Sequence, residues 1–223
     1  MVRPNAESLR SSNVQTLTHK NRTDPDTDIN LAANAGVTVF RMGIDWGRLV
    51  TKLPKSVSEA GVQNVTALKR YQEIVNKVKS AGMRPMVTLF HHSIPAWASE
   101  MGGWTNTTLK SYFAEFVRDV SRNVDLGDDG FYVTFNEPTV FVLLTHCSGI
   151  WPPGPPKTTI ESIACISPYG SFYTAMQEIQ SAHNMAYKIL KLNSKADVGV
   201  AHNVGSHIPY SIFDDLANNA ADS

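Results

Sequence analysis

The sequence predicts an α/β fold in which helices cover a parallel sheet, namely a partial (β/α)8 TIM barrel with about four of its strands present. Helical and strand-like patterns alternate along the 223 residues, as they do in folds built from βαβ units. No glycine-rich phosphate turn follows the first strand, although an open doubly wound sheet usually has one. Each strand is apolar and then turns polar at its carboxyl end, where barrel enzymes place their active sites.

The first helix–strand cycle begins at Asp24–Pro25, where an N-cap residue precedes a proline at the first helical position. Gly36 is a plausible end for this helix. The β-branched and aromatic run 37–41 then predicts a strand. Residues 1–23 are polar and nonperiodic, so we expect a loose N-terminal segment, with the partial barrel spanning residues 24–223.

Three further cycles follow. In the second, Tyr71, Ile74, Val75 and Val78 have the spacing of a helix with one buried stripe, and a strand is predicted over 83–90. The third and fourth cycles pair a helix at 109–124 with a strand at 131–135, and a helix at 172–192 with a strand at 197–201. A whole barrel needs about 250 residues, so we expect roughly the first half of one.

Polar side chains follow each of the four predicted strands. They are Arg41, the pair His91–His92, the pair Asn136–Glu137, and the pair His202–Asn203. The carboxyl ends of parallel strands meet at one edge of a sheet, so we expect these side chains to surround a common site. Four consecutive instances favour a closed barrel over an open sheet.

Glu137 is the candidate acid/base residue. Pro138 disfavours the right-handed helical region for the residue before it, so we expect Glu137 to be extended and to face the barrel mouth. A carboxyl group among apolar neighbours can stay protonated near neutral pH, which protonating a glycosidic oxygen requires. A solvated loop glutamate is the alternative.

The other candidate residues can bind a sugar or stabilise the fold. Asn136 can donate to a sugar hydroxyl or cap the next segment. Arg41 ends an apolar strand, which predicts an acidic partner in the barrel mouth or a surface ion pair. His91 and His92 are hydrogen-bonding candidates; they point to opposite sides of a strand, so we expect no metal. Trp46 can stack on a sugar ring or fill the core.

Composition excludes several partners. The net charge is zero, so we expect no nucleic-acid partner, and no apolar run approaches the roughly 20 residues of a membrane span. No cofactor motif and no apolar signal segment are visible. Cys147 and Cys165 permit one disulfide, but we expect two unpaired thiols in a reducing compartment.

Four segments, taken in order and spacing, resemble motifs of glycoside hydrolase family 1, the retaining β-glycosidases. They are Phe40–Leu49, Thr88–His91, Gly102–Trp104 and Thr134–Pro138. The last one carries the acid/base signature Thr-Phe-Asn-Glu-Pro. The resemblance therefore implies a barrel enzyme that acts on O-glycosyl bonds.

The resemblance also implies roles for individual residues. Glu137 would be the general acid/base, while Asn136 and His91 would hold hydroxyls of the sugar. Arg41 would lie against the nucleophilic carboxylate and keep it ionised. No cofactor is implied.

One departure from the family pattern points to a subgroup. The sequence His92-Ser93-Ile94-Pro95 replaces the more frequent Trp-Asp-X-Pro and is similar to the plant "sensitive to freezing" galactolipid galactosyltransferases. This similarity implies a galactolipid substrate and a place at the chloroplast outer envelope. Membrane association would come only through the lipid substrate or through parts outside this chain.

The second catalytic carboxylate is not recognisable. Retaining glycosidases use two carboxyl groups about 5–5.5 Å apart, and no segment of the Thr-Glu-Asn-Gly type occurs here. We therefore expect Glu137 to be half of a catalytic pair and this chain alone to be incomplete and inactive. The alternatives are a piece of an ordinary β-glucosidase and an inactive carbohydrate-binding remnant.

Overall fold

The computed structural model describes residues 25–151 and 155–203. In these ranges short strands alternate with helices along the chain. The elements are α1 (Pro25–Asn34), β1 (Val39–Gly43), α2 (Trp46–Leu49), α3 (Val65–Ser80), β2 (Arg84–Phe90), α4 (Ala96–Glu100), α5 (Leu109–Asn123), β3 (Phe131–Asn136), α6 (Pro138–Val142), α7 (Thr159–Ile166), α8 (Ser171–Asn193) and β4 (Asp197–Ala201). Two 3-10 turns lie at Val57–Glu59 and Gly103–Thr105, and a π-helical turn lies at Leu143–Cys147.

The strands form one sheet in the order β1-β2-β3-β4, and every neighbouring pair is parallel. Sequential order with helical crossovers is the arrangement of consecutive units in a (β/α)8 barrel. The predicted partial barrel is therefore confirmed. The loose segment predicted for residues 1–23 lies outside the described residues, and so does the chain after Asn203.

The helix α3 forms where the sequence pattern places it. Asn64 caps its first turn by accepting a hydrogen bond from the backbone of Ala67 at 3.0 Å. Its buried stripe includes Tyr71, Val75 and Val78 from the predicted set, and this stripe packs toward the sheet.

The first strand begins two residues later than predicted, at Val39. The cause is the end of α1, where Gly36 adopts a left-handed conformation with φ of 78°. The backbone of Val37 then donates back to Ala32 at 3.0 Å and closes the helix. Since Val37 serves this cap, its strand-forming side chain does not decide its conformation.

An aromatic core joins the helices to the sheet. The rings of Phe90, Trp104, Phe113 and Phe135 contact one another with centroids 5.0–5.6 Å apart. All four side chains are buried. Such edge-to-face and tilted contacts fix the carboxyl ends of β2 and β3 against α5.

The outer strands of the sheet are its exposed parts. In β1, Arg41 and Gly43 are exposed, and in β4 Gly199 and Val200 are exposed. Within the described ranges, β1 pairs only with β2 and β4 pairs only with β3. Open edges of this kind are what part of a barrel presents.

Cys147 and Cys165 form a disulfide, with Cα atoms 5.2 Å apart, so the prediction of two unpaired thiols is wrong. The π-helical turn after α6 carries Cys147 to α7, where the Ser162 hydroxyl donates to its carbonyl oxygen at 2.9 Å. This approach depends on tertiary packing, which spacing along the sequence does not reveal. Over the described ranges, the structure contains no helix that combines the length and apolar character of a membrane span.

Candidate active site

Arg41 connects three strand ends. Its Nε donates to the Thr88 hydroxyl at 2.9 Å, and its Nη2 donates to Oδ1 of Asn136 at 2.7 Å. The three residues belong to β1, β2 and β3, so the guanidinium crosses the carboxyl edge of the sheet. Both acceptors are neutral, and the acidic partner predicted for Arg41 stays a prediction.

Asn136 is 6% exposed and has its amide oxygen engaged by Arg41. This contact fixes which end of the amide can face a ligand. A sugar hydroxyl would meet the N–H end, which is the donor that the sequence predicts for this residue.

Glu137 follows Asn136 directly and adopts a left-handed backbone conformation, with φ of 42° and ψ of 57°. The prediction of an extended residue is therefore wrong. Pro138 disfavours the right-handed region, while the Glu137 carbonyl accepts the first hydrogen bond of α6, from Phe141 at 3.0 Å. The chain must turn from strand to helix within one residue, and the left-handed region allows that turn.

A backbone hydrogen bond holds this turn to the next strand. The Glu137 N–H donates to the carbonyl oxygen of Ala201 in β4 at 2.7 Å. A left-handed conformation costs a non-glycine residue about 1–3 kcal/mol, and such residues cluster at functional sites. Glu137 is half-buried at this position.

His91 is exposed at the rim, next to Arg41 and Glu137. Partial burial lowers the pKa of the His91 ring, and the nearby His92 and Arg41 lower it further, while the charge of Glu137 opposes them. A neutral imidazole can both donate and accept hydrogen bonds, which suits a sugar hydroxyl.

His92 is engaged with the protein itself. Its Nε2 lies 3.0 Å from the carbonyl oxygen of Asn136, and its ring centroid lies 4.9 Å from that of Trp151. Phe141 stacks on it at 5.9 Å. The structure thus brings His92 to the site predicted for it, but one ring nitrogen already binds the backbone.

Trp46 belongs to the core and not to the site, contrary to the sugar-stacking prediction. Its side chain is 1% exposed, and its ring contacts Trp97, Phe113 and Phe116 with centroids 5.3–5.8 Å apart. It reaches only the edge of a cavity of about 330 Å³ beside His91 and His92. A buried ring cannot offer a face to a sugar.

Two residues outside the predicted set of site residues contribute to the site. Thr88 accepts from Arg41 and lies opposite Gly43 in the strand pairing. Trp151 is half-buried beside His92. The sequence places Trp151 in a loop after a strand, where a tryptophan can stack on a sugar. This position does not distinguish it from Trp46, Trp97 and Trp104, which share it.

The fourth strand end adds His202 and Asn203, both exposed just past β4. Over the described residues, His, Cys, Asp and Glu side chains form no group of three or more that could hold a metal ion. Among the described residues, the candidate site includes the Glu137 carboxyl group, the Arg41 guanidinium, the Asn136 amide, the Thr88 hydroxyl and imidazoles.

Comparisons with known proteins identify the family to which the sequence is similar. The sequence model of the family described as Glycosyl hydrolase family 1 matches residues 10–222. A protein of Oryza sativa subsp. japonica, named beta-glucosidase-like SFR2, chloroplastic, is 43% identical over 204 residues, which are 90% of this chain and 31% of that protein. A protein of Arabidopsis thaliana, named galactolipid galactosyltransferase SFR2, chloroplastic, is 43% identical over 196 residues, or 86% of this chain and 31% of that protein.

Solved structures are similar too. A beta-glucosidase from Thermotoga maritima in complex with glucoimidazole superposes with a TM-score of 0.69 at 26% identity, over 92% of this chain and 42% of that one. A beta-glycosidase from Pyrococcus horikoshii superposes with a TM-score of 0.64 at 25% identity, over 88% of this chain and 42% of that one. This chain spans about a third of the length of the curated relatives.

Proposed function

This chain belongs to glycosyl hydrolase family 1, and we propose that it supplies the general acid/base half of a retaining β-glycosidase site, with Glu137 as the acid/base. One observation carries the proposal. Glu137 follows Asn136 at the carboxyl edge of the sheet, where Arg41 holds the Asn136 amide across three strand ends. The geometry supports the proposal because it brings together a carboxyl group, a cation and an amide at one edge of the sheet.

The reaction takes two steps in this proposal. First, Glu137 gives its proton to the glycosidic oxygen while a second carboxylate attacks the anomeric carbon, and the leaving group departs. Glu137, now ionised, then takes a proton from the incoming hydroxyl as that oxygen attacks the glycosyl ester. The sugar keeps its configuration because two inversions cancel.

Arg41 orients the second carboxylate in this proposal. A guanidinium has five N–H donors, and the bonds to Thr88 and Asn136 use two of them. A carboxylate beside the other donors would stay ionised, as a nucleophile must. We assign that nucleophile to no residue of this chain, so activity requires a further polypeptide segment.

The acceptor in the second step is proposed to be a sugar hydroxyl of a galactolipid. Support comes from the relative named galactolipid galactosyltransferase, at 43% identity, and from the run His92–Pro95. Chloroplast localisation is proposed because both plant relatives are named chloroplastic. A place at the outer envelope is proposed from the subgroup resemblance of His92–Pro95 alone. Hydrolysis as an ordinary β-glucosidase is the second candidate, supported by the similar solved β-glucosidases.

The test uses the protein expressed in full from its own gene, with phenyl β-galactoside and phenyl β-glucoside as substrates. Glu137→Gln keeps the shape of the side chain and removes the acid, so kcat/KM should fall about 10²- to 10⁴-fold. Glu73→Gln is the matched control, because that glutamate is exposed on α3 and pairs with Arg70 on the same helix. Full activity in Glu137→Gln would refute the assignment.

A second measurement separates the two candidates. A monogalactosyl lipid dispersed in detergent should yield oligogalactosyl lipid if a sugar hydroxyl is the acceptor. Free galactose alone would favour hydrolysis. Absence of both products together with turnover of phenyl β-glucoside would identify an ordinary β-glucosidase.

A further inference from the structure

His92 contacts the backbone immediately before Glu137. Its Nε2 lies 3.0 Å from the carbonyl oxygen of Asn136. A carbonyl oxygen can only accept, so Nε2 carries the proton and donates. The bond therefore fixes the tautomer of the neutral ring and leaves Nδ1 as the acceptor nitrogen.

The same ring also contacts the helix that follows Glu137. His92 stacks on Phe141 with an interplanar angle of 25°, and Trp151 covers it from another side at 4.9 Å. Phe141 lies in the first turn of α6 and donates its N–H to the carbonyl oxygen of Glu137. One side chain thus touches the peptide before Glu137 and the residue that caps the turn after it.

The backbone is constrained at His92 and also at Glu137, which follows its hydrogen-bond partner Asn136. His92 has φ of 64° and Glu137 has φ of 42°, and they are two of the three non-glycine residues with positive φ in the described ranges. Residues persist in this region only where their surroundings over-determine them. Here the two constrained residues lie at the ends of neighbouring strands and are linked by the His92–Asn136 bond.

We propose that His92 is a positioning residue for Glu137. It holds the Asn136–Glu137 peptide and the start of α6, and thereby directs the carboxyl group of Glu137 toward the glycosidic oxygen. The inference rests on the proposed acid/base role of Glu137 and assigns His92 no contact with the reacting atoms. The Nε2 atom and the ring face of His92 influence the Glu137 carboxyl group only by holding the backbone on either side of it. Small displacements of a catalytic group have large kinetic effects, of about 10²-fold for 1 Å.

The pH response of this contact involves several groups. Burial lowers the pKa of the His92 ring, while its bond to Asn136 and the charge of Glu137 act in the other direction. His91 and Arg41 are the other titratable or charged groups grouped around the same strand ends. Because several groups would contribute to a pH profile, the dependence of kcat/KM on the leaving group is the primary readout of the His92 contact.

The experiment compares two substrates in the full-length protein. Phenyl β-glycoside has a poor leaving group that needs protonation, whereas 2,4-dinitrophenyl β-glycoside leaves without an acid. His92→Phe keeps a ring between Phe141 and Trp151 but removes the donor, and His92→Gln restores a donor near the position of Nε2. The ratio of kcat/KM for the two substrates does not depend on the fraction of folded enzyme.

For His92→Phe we expect kcat/KM to fall about 10- to 100-fold for the phenyl substrate and less than about 2-fold for the dinitrophenyl substrate. His92→Gln should recover most of that loss. His146→Phe is the matched control, because this half-buried histidine also contacts Phe141, with ring centroids 6.3 Å apart. Its substrate ratio should equal that of the unmodified protein.

Two outcomes would overturn the inference. Equal losses on both substrates in His92→Phe would mean that the residue only stabilises the fold. Unchanged kcat/KM on both substrates in His92→Phe, with a strongly changed ratio in Glu137→Gln, would show that His92 does not position the acid. If the ratio in Glu137→Gln itself stays unchanged, the proposed acid/base role fails, and this result is distinguishable from the other two.

Discussion

Removal of the Cys147–Cys165 disulfide should destabilise the protein by about 3 kcal/mol. The two cysteines are 18 residues apart in the sequence. In the chain-entropy treatment, a loop of this size removes about 3 kcal/mol of conformational freedom from the unfolded chain at 25 °C. The closed loop includes α7 and begins at the π-helical turn that follows the Glu137 helix. The double variant Cys147→Ala/Cys165→Ala removes the bridge without leaving a thiol.

Urea-induced unfolding of the full protein measures the effect. The double variant should lose about 3 kcal/mol relative to the oxidised protein. Reductant should lower the stability of the unmodified protein to that of the variant and leave the variant unchanged. The residual difference under reductant gives the contribution of the two sulfur atoms to packing, since both side chains are buried.

Thiol counting provides the independent control. Protein purified without reductant and then denatured should show no thiol from Cys147 or Cys165, and its mass should be two hydrogens lower than that of the reduced protein. Titratable thiols at Cys147 and Cys165 in the freshly purified protein, after denaturation without reductant, would refute the disulfide. Equal stability of the variant and the oxidised protein would refute the loop-entropy argument.

Three further predictions concern the core, the site and pH. Trp46→Ala should cost about 3–5 kcal/mol in urea unfolding yet leave the KM of the folded enzyme unchanged; a raised KM with intact stability would restore its sugar-stacking role. Arg41→Lys loses the planar fork and should lose about 1.5–3 kcal/mol of interaction with Thr88 or Asn136, seen as a kcat/KM that is about 10- to 160-fold lower. Burial lowers the pKa of His183, so the folded state resists protonation, and stability should be complete above the unfolded value of about 6.5 and fall as the pH drops toward the lower folded pKa. His183→Gln should flatten that loss in unfolding curves measured from pH 8 to pH 5.

The alternation of helices and strands was predictable because each element carries its own pattern. The apolar spacing of α3 and the apolar runs of β2 and β3 reflect local burial, and they hold in the structure. The start of β1 was not predictable from strand propensity. Val37 has a strand-forming side chain, but its backbone closes α1, and a hydrogen bond decides the boundary.

The strand-end rule located Arg41, Asn136 and Glu137, because parallel strands bring their carboxyl ends to one edge. It did not exclude Trp46, which also follows a strand. Its burial depends on Trp97, Phe113 and Phe116, which are 51–70 residues away in the sequence, and no local pattern encodes that contact. The Cys147–Cys165 disulfide is likewise not encoded by a local pattern, since tertiary packing brings the two residues together.

The backbone conformation of Glu137 is determined partly by a local rule and partly by tertiary contacts. Pro138 disfavours the right-handed region but leaves both the extended and the left-handed regions open. The hydrogen bonds to Ala201 and Phe141 select the left-handed one, because an extended residue could not pair with β4 and begin α6 at once. The direction of the carboxyl group that we propose as the acid/base thus depends on β4, α6 and the His92 contact together. A substitution that weakens any one of these contacts should change the direction of the Glu137 carboxyl group more than it changes the stability of the fold.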